Sequence, residues 1–144
     1  MTTFFVDTST LAKRYVNEIG STWVRSWTPP SAGHIIVISA LTTVEMISLL
    51  TRRAREGSLS PSVQATLQST FLLHIEKEYL PVLTLAQTLI PRHFLRTLDA
   101  IQLASALDAV KTLGEKPVFV CSDNHLLTAA AAEGFAIDNP LLHP

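Results

Sequence analysis

The chain has one cysteine, Cys121, among 144 residues. A lone thiol excludes a disulfide framework and a thiolate metal cluster, and it fits a reducing, cytoplasmic setting. Long apolar runs are also missing. None approaches the roughly 18 to 20 residues that a membrane span needs. The start, MTTFFVD, has no basic segment and carries an acid at Asp7, so no secretory signal is expected. Glycines number five and aromatics 7%, and there is no internal repeat, low-complexity tract or linker long enough to divide the chain. One domain spanning residues 1–144 is expected, large enough to bury a core unaided. A strong positive charge is lacking as well: the net charge is −1. That balance does not exclude a nucleic-acid partner. If four acids are set aside as metal ligands, eight remain against eleven Lys and Arg, a surplus of about three positive charges.

What is present is an alternation of short apolar strands and amphipathic helices. A strand at Phe4–Val6 ends on Asp7, and a helix follows with Leu11, Ala12, Tyr15, Val16 and Ile19 at helical spacing. Gly20 is placed to end it, and Ser21 to cap a short helix carrying Trp23 and Trp27. The β-branched run Ile35–Ile38 reads as a strand buried on both faces. Ser39 caps the next helix, which Gly57 closes. Ser60 and Pro61 open another that reaches to about Tyr79. A weak strand at Leu80–Leu83 and a helical stretch interrupted at Pro91 come next. LRTLDAIQLASALDAVKTLG is the clearest helix, PVFVCSD a strand ending on Asp123, NHLLTAAAAEG a helix, and Phe135–Ile137 a last strand. The pattern predicts an α/β fold with a central parallel sheet of about five strands flanked by helices.

In such folds ligands sit beyond the carboxyl ends of the strands. Asp7 and Asp123 both occupy that position. Each is also a plausible helix cap, though Thr8 and Ser9 are equally good caps beside Asp7. Glu45 lies on a helix whose other positions, Leu41, Val44, Met46, Ile47, Leu49 and Leu50, are apolar. Such a helix is expected to be largely buried, where an acid is costly unless paired or metal-bound. Asp99 falls among Leu95, Leu103, Ala106 and Val110, whereas Asp108 on the same helix lies nearly opposite, beside Lys111, as an ordinary surface acid. Two strand-end acids and two helix-face acids make a constellation of hard oxygen donors, which select Mg2+ or Mn2+. Ser9, Ser122 and Asn124 are placed to support them. Lys13, Arg52 and above all Arg96, three residues before Asp99, are candidates for holding the phosphates of an anionic ligand. The five histidines show no ligand spacing, and Trp23 and Trp27 read as core or dimer surface.

Four segments, FFVDTSTLAKRYVNEIGS, LTTVEMISLLTRR, LRTLDAIQLASAL and FVCSDNHLLTAAAAEGF, together resemble the PIN-domain ribonucleases of the VapC-like toxin type over essentially the whole chain. The resemblance implies that Asp7, Glu45, Asp99 and Asp123 are the metal-binding acids of an Mg2+- or Mn2+-dependent endoribonuclease. It further implies an RNA substrate, whose backbone is the anionic ligand of Lys13, Arg52 and Arg96, as well as a cognate antitoxin and a homodimer, and no membrane association. Two positions depart from the family pattern. Cys121 stands where a Ser or Thr is usual, with Ser122 beside it, and Gln102 stands where a His is frequent. Other phosphate-handling α/β classes fit less well. A haloacid-dehalogenase phosphatase needs a second Asp where Ser9 stands, and a receiver domain needs an acidic pair and a terminal Lys that this chain lacks. A catalytically silent PIN scaffold that binds protein or RNA is the alternative reading.

Overall fold

A computed structural model describes residues 1–72 and 82–144. Among them are four strands, β1 (Thr3–Val6), β2 (Ile35–Val37), β3 (Val118–Val120) and β4 (Ile137–Asp138). Seven α-helices accompany them: α1 (Thr8–Tyr15), α2 (Ser21–Trp27), α3 (Ala40–Arg55), α4 (Pro61–Leu72), α5 (Val82–His93), α6 (Thr97–Leu113) and α7 (Asn124–Ala132). The sheet is parallel throughout, in the order β2-β1-β3-β4. The expected α/β architecture is therefore present.

The period of two along each strand sorts the core into two layers. Phe5 and Phe119 stack at 5.2 Å and pack with Leu89 of α5, Leu103 and Ala106 of α6, and Leu126 and Ala130 of α7. Val6 and Val120 face the other way, against Leu11 and Ala12 of α1, Val24 and Trp27 of α2, and Met46 of α3. Helices thus cover both faces, and β1 and β3, the central pair, are buried on both. Trp23 and Trp27 meet edge to face at 5.2 Å, and buried Trp27 belongs to this second layer.

Several boundaries differ from expectation. Of the strand read at Leu80–Leu83, Leu80 and Pro81 lie outside the described residues, while Val82 and Leu83 begin α5. Buried Val82 and exposed Leu83 are a helix's two faces there rather than a strand's. The stretch of the Ser60 helix beyond Leu72, expected to reach Tyr79, is also outside the described residues. Pro91 does not interrupt α5, which continues to His93; so near a helix end, one missing N–H bond costs least. Helix α1 stops at Tyr15 rather than at Gly20. Gly20 instead adopts φ +87° and forms the N-cap of α2. The Ser21 hydroxyl does not cap its helix either: it donates to Val16 O and accepts from Glu18 N–H, closing the turn between the two helices. The last strand forms at Ile137–Asp138, two residues later than read.

Candidate active site

The sheet order places the crossover between β1 and β3, the topological switch point where open parallel sheets offer a crevice at their carboxyl ends. Asp7 follows β1 directly and its N–H donates to Val120 O at 3.2 Å. Asp123 follows β3. Both are also helix caps. Asp7 Oδ1 accepts from Thr10 N–H at 3.0 Å, and Asp123 Oδ1 accepts from His125 and Leu126 N–H at 2.8 and 3.1 Å. The two readings coexist, because a carboxylate has a second oxygen. On Asp7 that oxygen accepts from the Ser9 hydroxyl, at 2.8 Å.

Ser9 ties the two strand ends together. Its hydroxyl donates to Asp7 and accepts from Ser122 N–H at 3.2 Å. Asp7 is 8% exposed, and burial pushes its pKa up to about 6 against the pull of the Ser9 and Thr10 hydrogen bonds. Burial and the charges on Asp7, Asp123 and Asp99 all push the Cys121 thiol up, so three of the four acids act on one buried group. That thiol is inert as a nucleophile. It fills the place of the family's hydroxyl by donating to Asp123 O at 3.2 Å and accepting from Asp123 N–H at 3.4 Å.

Asp99 and Asp123 share a guanidinium. Arg96 Nε donates to Asp99 Oδ2 at 3.0 Å, and its terminal nitrogen donates to Asp123 Oδ2 at 3.2 Å. Asp99 is no more buried than Asp108, with side chains 19% and 18% exposed. What separates the two acids is their partners. Asp108 pairs with Lys111 on its own helix, whereas Asp99 faces α7 across Arg96.

Glu45 is joined to the same corner by a side chain that sequence reasoning passed over as an active-site organiser. Buried Gln102, one turn along α6 from Asp99, lies within hydrogen-bond distance of Glu45 Oε1, Thr42 and Thr8 through Nε2, at 3.0, 3.0 and 3.2 Å. Thr8, next to Asp7, also donates to Glu45 at 2.9 Å. The available signal was the polar Gln102 between Ile101 and Leu103 on an apolar helix. Helix α3 is less buried than its composition implied, for Val44 is 66% exposed and Glu45 half-buried.

The other candidates divide. Asn124 is exposed and accepts from Asn139 through its side chain at 3.0 Å, securing the chain's last turn. Ser122 Oγ is buried and, like Gln102 Oε1, has no hydrogen-bond partner among the described residues. Arg52 is exposed on α3. Lys13 is 5% exposed, and its ammonium pairs with Glu18 at 3.2 Å beside the α1–α2 turn.

Among the described residues no group of three or more His, Cys, Asp or Glu side chains stands close enough together to hold a metal ion. Mg2+ does not require one, since it keeps several waters and takes one or two carboxylates. The donor set fits such an ion. It is all oxygen, it includes a carboxylate whose charge burial penalises, and two buried oxygens at its margin lack partners.

Comparison with known proteins bears on the fold and the family. The family model described as PIN domain matches residues 4–128. Ribonuclease VapC47 of Mycobacterium tuberculosis (strain CDC 1551 / Oshkosh) is 30% identical over 138 residues, covering 94% of this chain and 96% of that protein. The crystal structure of PAE2754 from Pyrobaculum aerophilum superposes with a TM-score of 0.64 at 18% identity, covering 99% of this chain and 93% of the other.

Proposed function

This chain belongs to the PIN-domain family, and on that premise we propose that it is a metal-dependent endoribonuclease, the toxin of a toxin–antitoxin pair. The observation that supports the reading is a set of pairwise links at the switch point: Ser9 bonds both Asp7 and Ser122, Arg96 bridges Asp99 and Asp123, and Gln102 bonds Glu45. A relative named as a ribonuclease over nearly its full length supports the reaction class. Asp7, Asp99 and Asp123 are the side chains that would hold Mg2+ or Mn2+, with Glu45 beside them. The bound ion would neutralise their charge and lower the pKa of a water, so that it can give up a proton and attack a phosphodiester as hydroxide.

The protein's own residues do the rest. Ser9 fixes the Asp7 carboxylate by donating to it, and the cap bonds to α7 fix Asp123, so neither needs to reorganise when charge develops on a phosphate. Gln102 and Thr8 hold Glu45 toward the same corner. Arg96 offsets the charge of Asp99 and Asp123, and its exposed, rotatable side chain would be free to turn to a phosphate if a cation held those carboxylates. Arg96→Ala is therefore expected to weaken RNA binding uniformly across sequences. It should also lower the slope of log affinity against log salt by about one. An unchanged affinity and slope would remove Arg96 from the RNA-binding surface.

The deciding test is incubation of the purified protein with mixed tRNA and ribosomal RNA in Mg2+, in Mn2+ and in EDTA, with Asp99→Asn alongside. Discrete cuts that need metal and vanish in the variant support the reading. Water as the nucleophile predicts 5′-phosphate and 3′-hydroxyl ends. A 2′,3′-cyclic phosphate would overturn the mechanism, because it requires the ribose hydroxyl as nucleophile. An absence of cleavage together with an absence of metal binding by calorimetry would favour a PIN scaffold that only binds protein or RNA. Family membership also supports a cognate antitoxin and a homodimer as the regulatory setting, in the cytoplasm. No helix among the described residues is long and apolar enough to cross a membrane.

A further inference from the structure

The three residues between α5 and α6 have opposite fates. Leu95 is 5% exposed and sits in the core with Leu89 and Leu103. Phe94 is 85% exposed, and the side chain of Arg96 is 79% exposed. Phe94 is also the one non-glycine residue with positive φ among those described, at +54°. A bulky side chain in the left-handed region is strained, and this one gains no burial in return. Strain of this kind persists where the surroundings impose it, and it collects at functional sites.

The surroundings do impose it here. Leu95 N–H donates to Ile90 O at 3.3 Å behind Phe94. In front, His125 Nε2 lies 3.2 Å from Phe94 O; because a carbonyl can only accept, that ring nitrogen carries the proton. The same histidine donates its backbone N–H to Asp123 Oδ1 at 2.8 Å. Phe94 is thus held out into solvent by a two-bond bridge to one of the site acids, and it stands two residues from the guanidinium that joins that acid to Asp99.

We propose that Phe94 is the platform on which a base of the RNA stacks, next to the phosphate engaged at Arg96 and the carboxylates. A ligand that offers a flat aromatic face on one side and an anionic oxygen on the other, at adjacent positions, is a nucleotide. Stacking tolerates any base, so the contact contributes affinity and placement rather than sequence choice. This inference rests on the ribonuclease reading and adds a substrate-binding residue to it.

The test uses the full-length protein in Mg2+ with a single-stranded RNA oligonucleotide made cleavage-resistant by phosphorothioate linkages and carrying 2-aminopurine at successive positions. Wild type should quench the probe at one position. Phe94→Ala should abolish that quench and weaken binding about tenfold, and Phe94→Trp should restore both. On unmodified RNA, Phe94→Ala should raise KM by a similar factor with a smaller change in kcat. Phe94→Gly supplies a control on folding, because it relieves the positive φ: its Tm should equal or exceed that of wild type while its RNA binding falls as far as that of the alanine variant. Wild-type quench and affinity in Phe94→Ala would overturn the proposal while leaving the ribonuclease reading intact. So would a loss of self-association on sedimentation with RNA affinity unchanged, since Phe94 would then be a contact between copies of the chain. A wild-type protein that neither binds nor cleaves RNA overturns both readings.

Discussion

Asp7→Asn is expected to stabilise the metal-free protein by up to about 3 kcal/mol above pH 6 while reducing RNA cleavage at least a hundredfold. Burial raises the Asp7 carboxyl from its ordinary 3.8 to about 6. Between those values the folded protein holds a proton that the unfolded chain has released, so stability falls as pH rises through the window and stays low above it. A shift of about two units corresponds to roughly 3 kcal/mol. Asparagine carries no charge at any pH, and its side-chain oxygen can still accept from Thr10 N–H, so it keeps the cap and escapes the penalty. Urea unfolding in EDTA at pH 4 and pH 7.5 reads the effect. The two proteins should be nearly equal at pH 4 and well apart at pH 7.5. Mg2+ should narrow the gap by stabilising only the folded wild type. Equal stability at both pH values would mean that the carboxylate is solvated well enough to ionise without cost. The stability that the native residue forgoes is the expected mark of a side chain kept for chemistry.

Gly20→Ala should cost about 3 to 5 kcal/mol, although the site is remote from the acids in sequence. A Cβ on Gly20 would clash with the carbonyl oxygen of Pro140, with φ at +87°. Backbone cannot step aside as a flexible side chain can, so the clash adds to the left-handed penalty. Pro140 is held in turn by the turn that Asn139 caps, and Asn139 donates to Asn124 beside Asp123. Thermal unfolding should show the loss directly. A fall of less than about 1 kcal/mol would mean that the segment from Asn139 onward shifts freely. Cleavage measured at low temperature, where the variant remains folded, should drop as well if Asn139 helps to hold the start of α7.

Much of this architecture could be read from alternating strands and helices, because apolar strands such as Ile35–Val37 and Val118–Val120 leave few alternatives. The site was legible for a related reason. An acid that follows a buried strand, as Asp7 and Asp123 do, has its position set by the sheet itself. What was not legible depends on neighbours distant in sequence. Lys13 reads as a surface cation, yet α2 and Glu18 fold over it. Gln102 reads as a substitution of little consequence, yet its amide meets three oxygens contributed by α1 and α3. Asp99 and Asp108 differ on a helical wheel but not in exposure, because α6 is covered on more than one side. Phe94 gave no signal at all, since a left-handed backbone at an aromatic residue follows from how two helices and His125 meet.

The pairing of β1 with β3 has a consequence for how the activity arises. Phe4 aligns with Val118 and Val6 with Val120, so the central ladder joins segments from nearly opposite ends of the chain. Contacts of such long sequence separation close late and slowly, after the local helices have formed. The partner strand β2 can reach β1 much earlier, since Thr3 pairs with Ile35. During synthesis, then, Asp7 and Glu45 can be in place on a folded stub while Asp99 and Asp123 are still absent. On the ribonuclease reading, cleavage is therefore expected only after β3 has left the exit tunnel, because until then the nascent chain faces its own messenger with an incomplete set of acids.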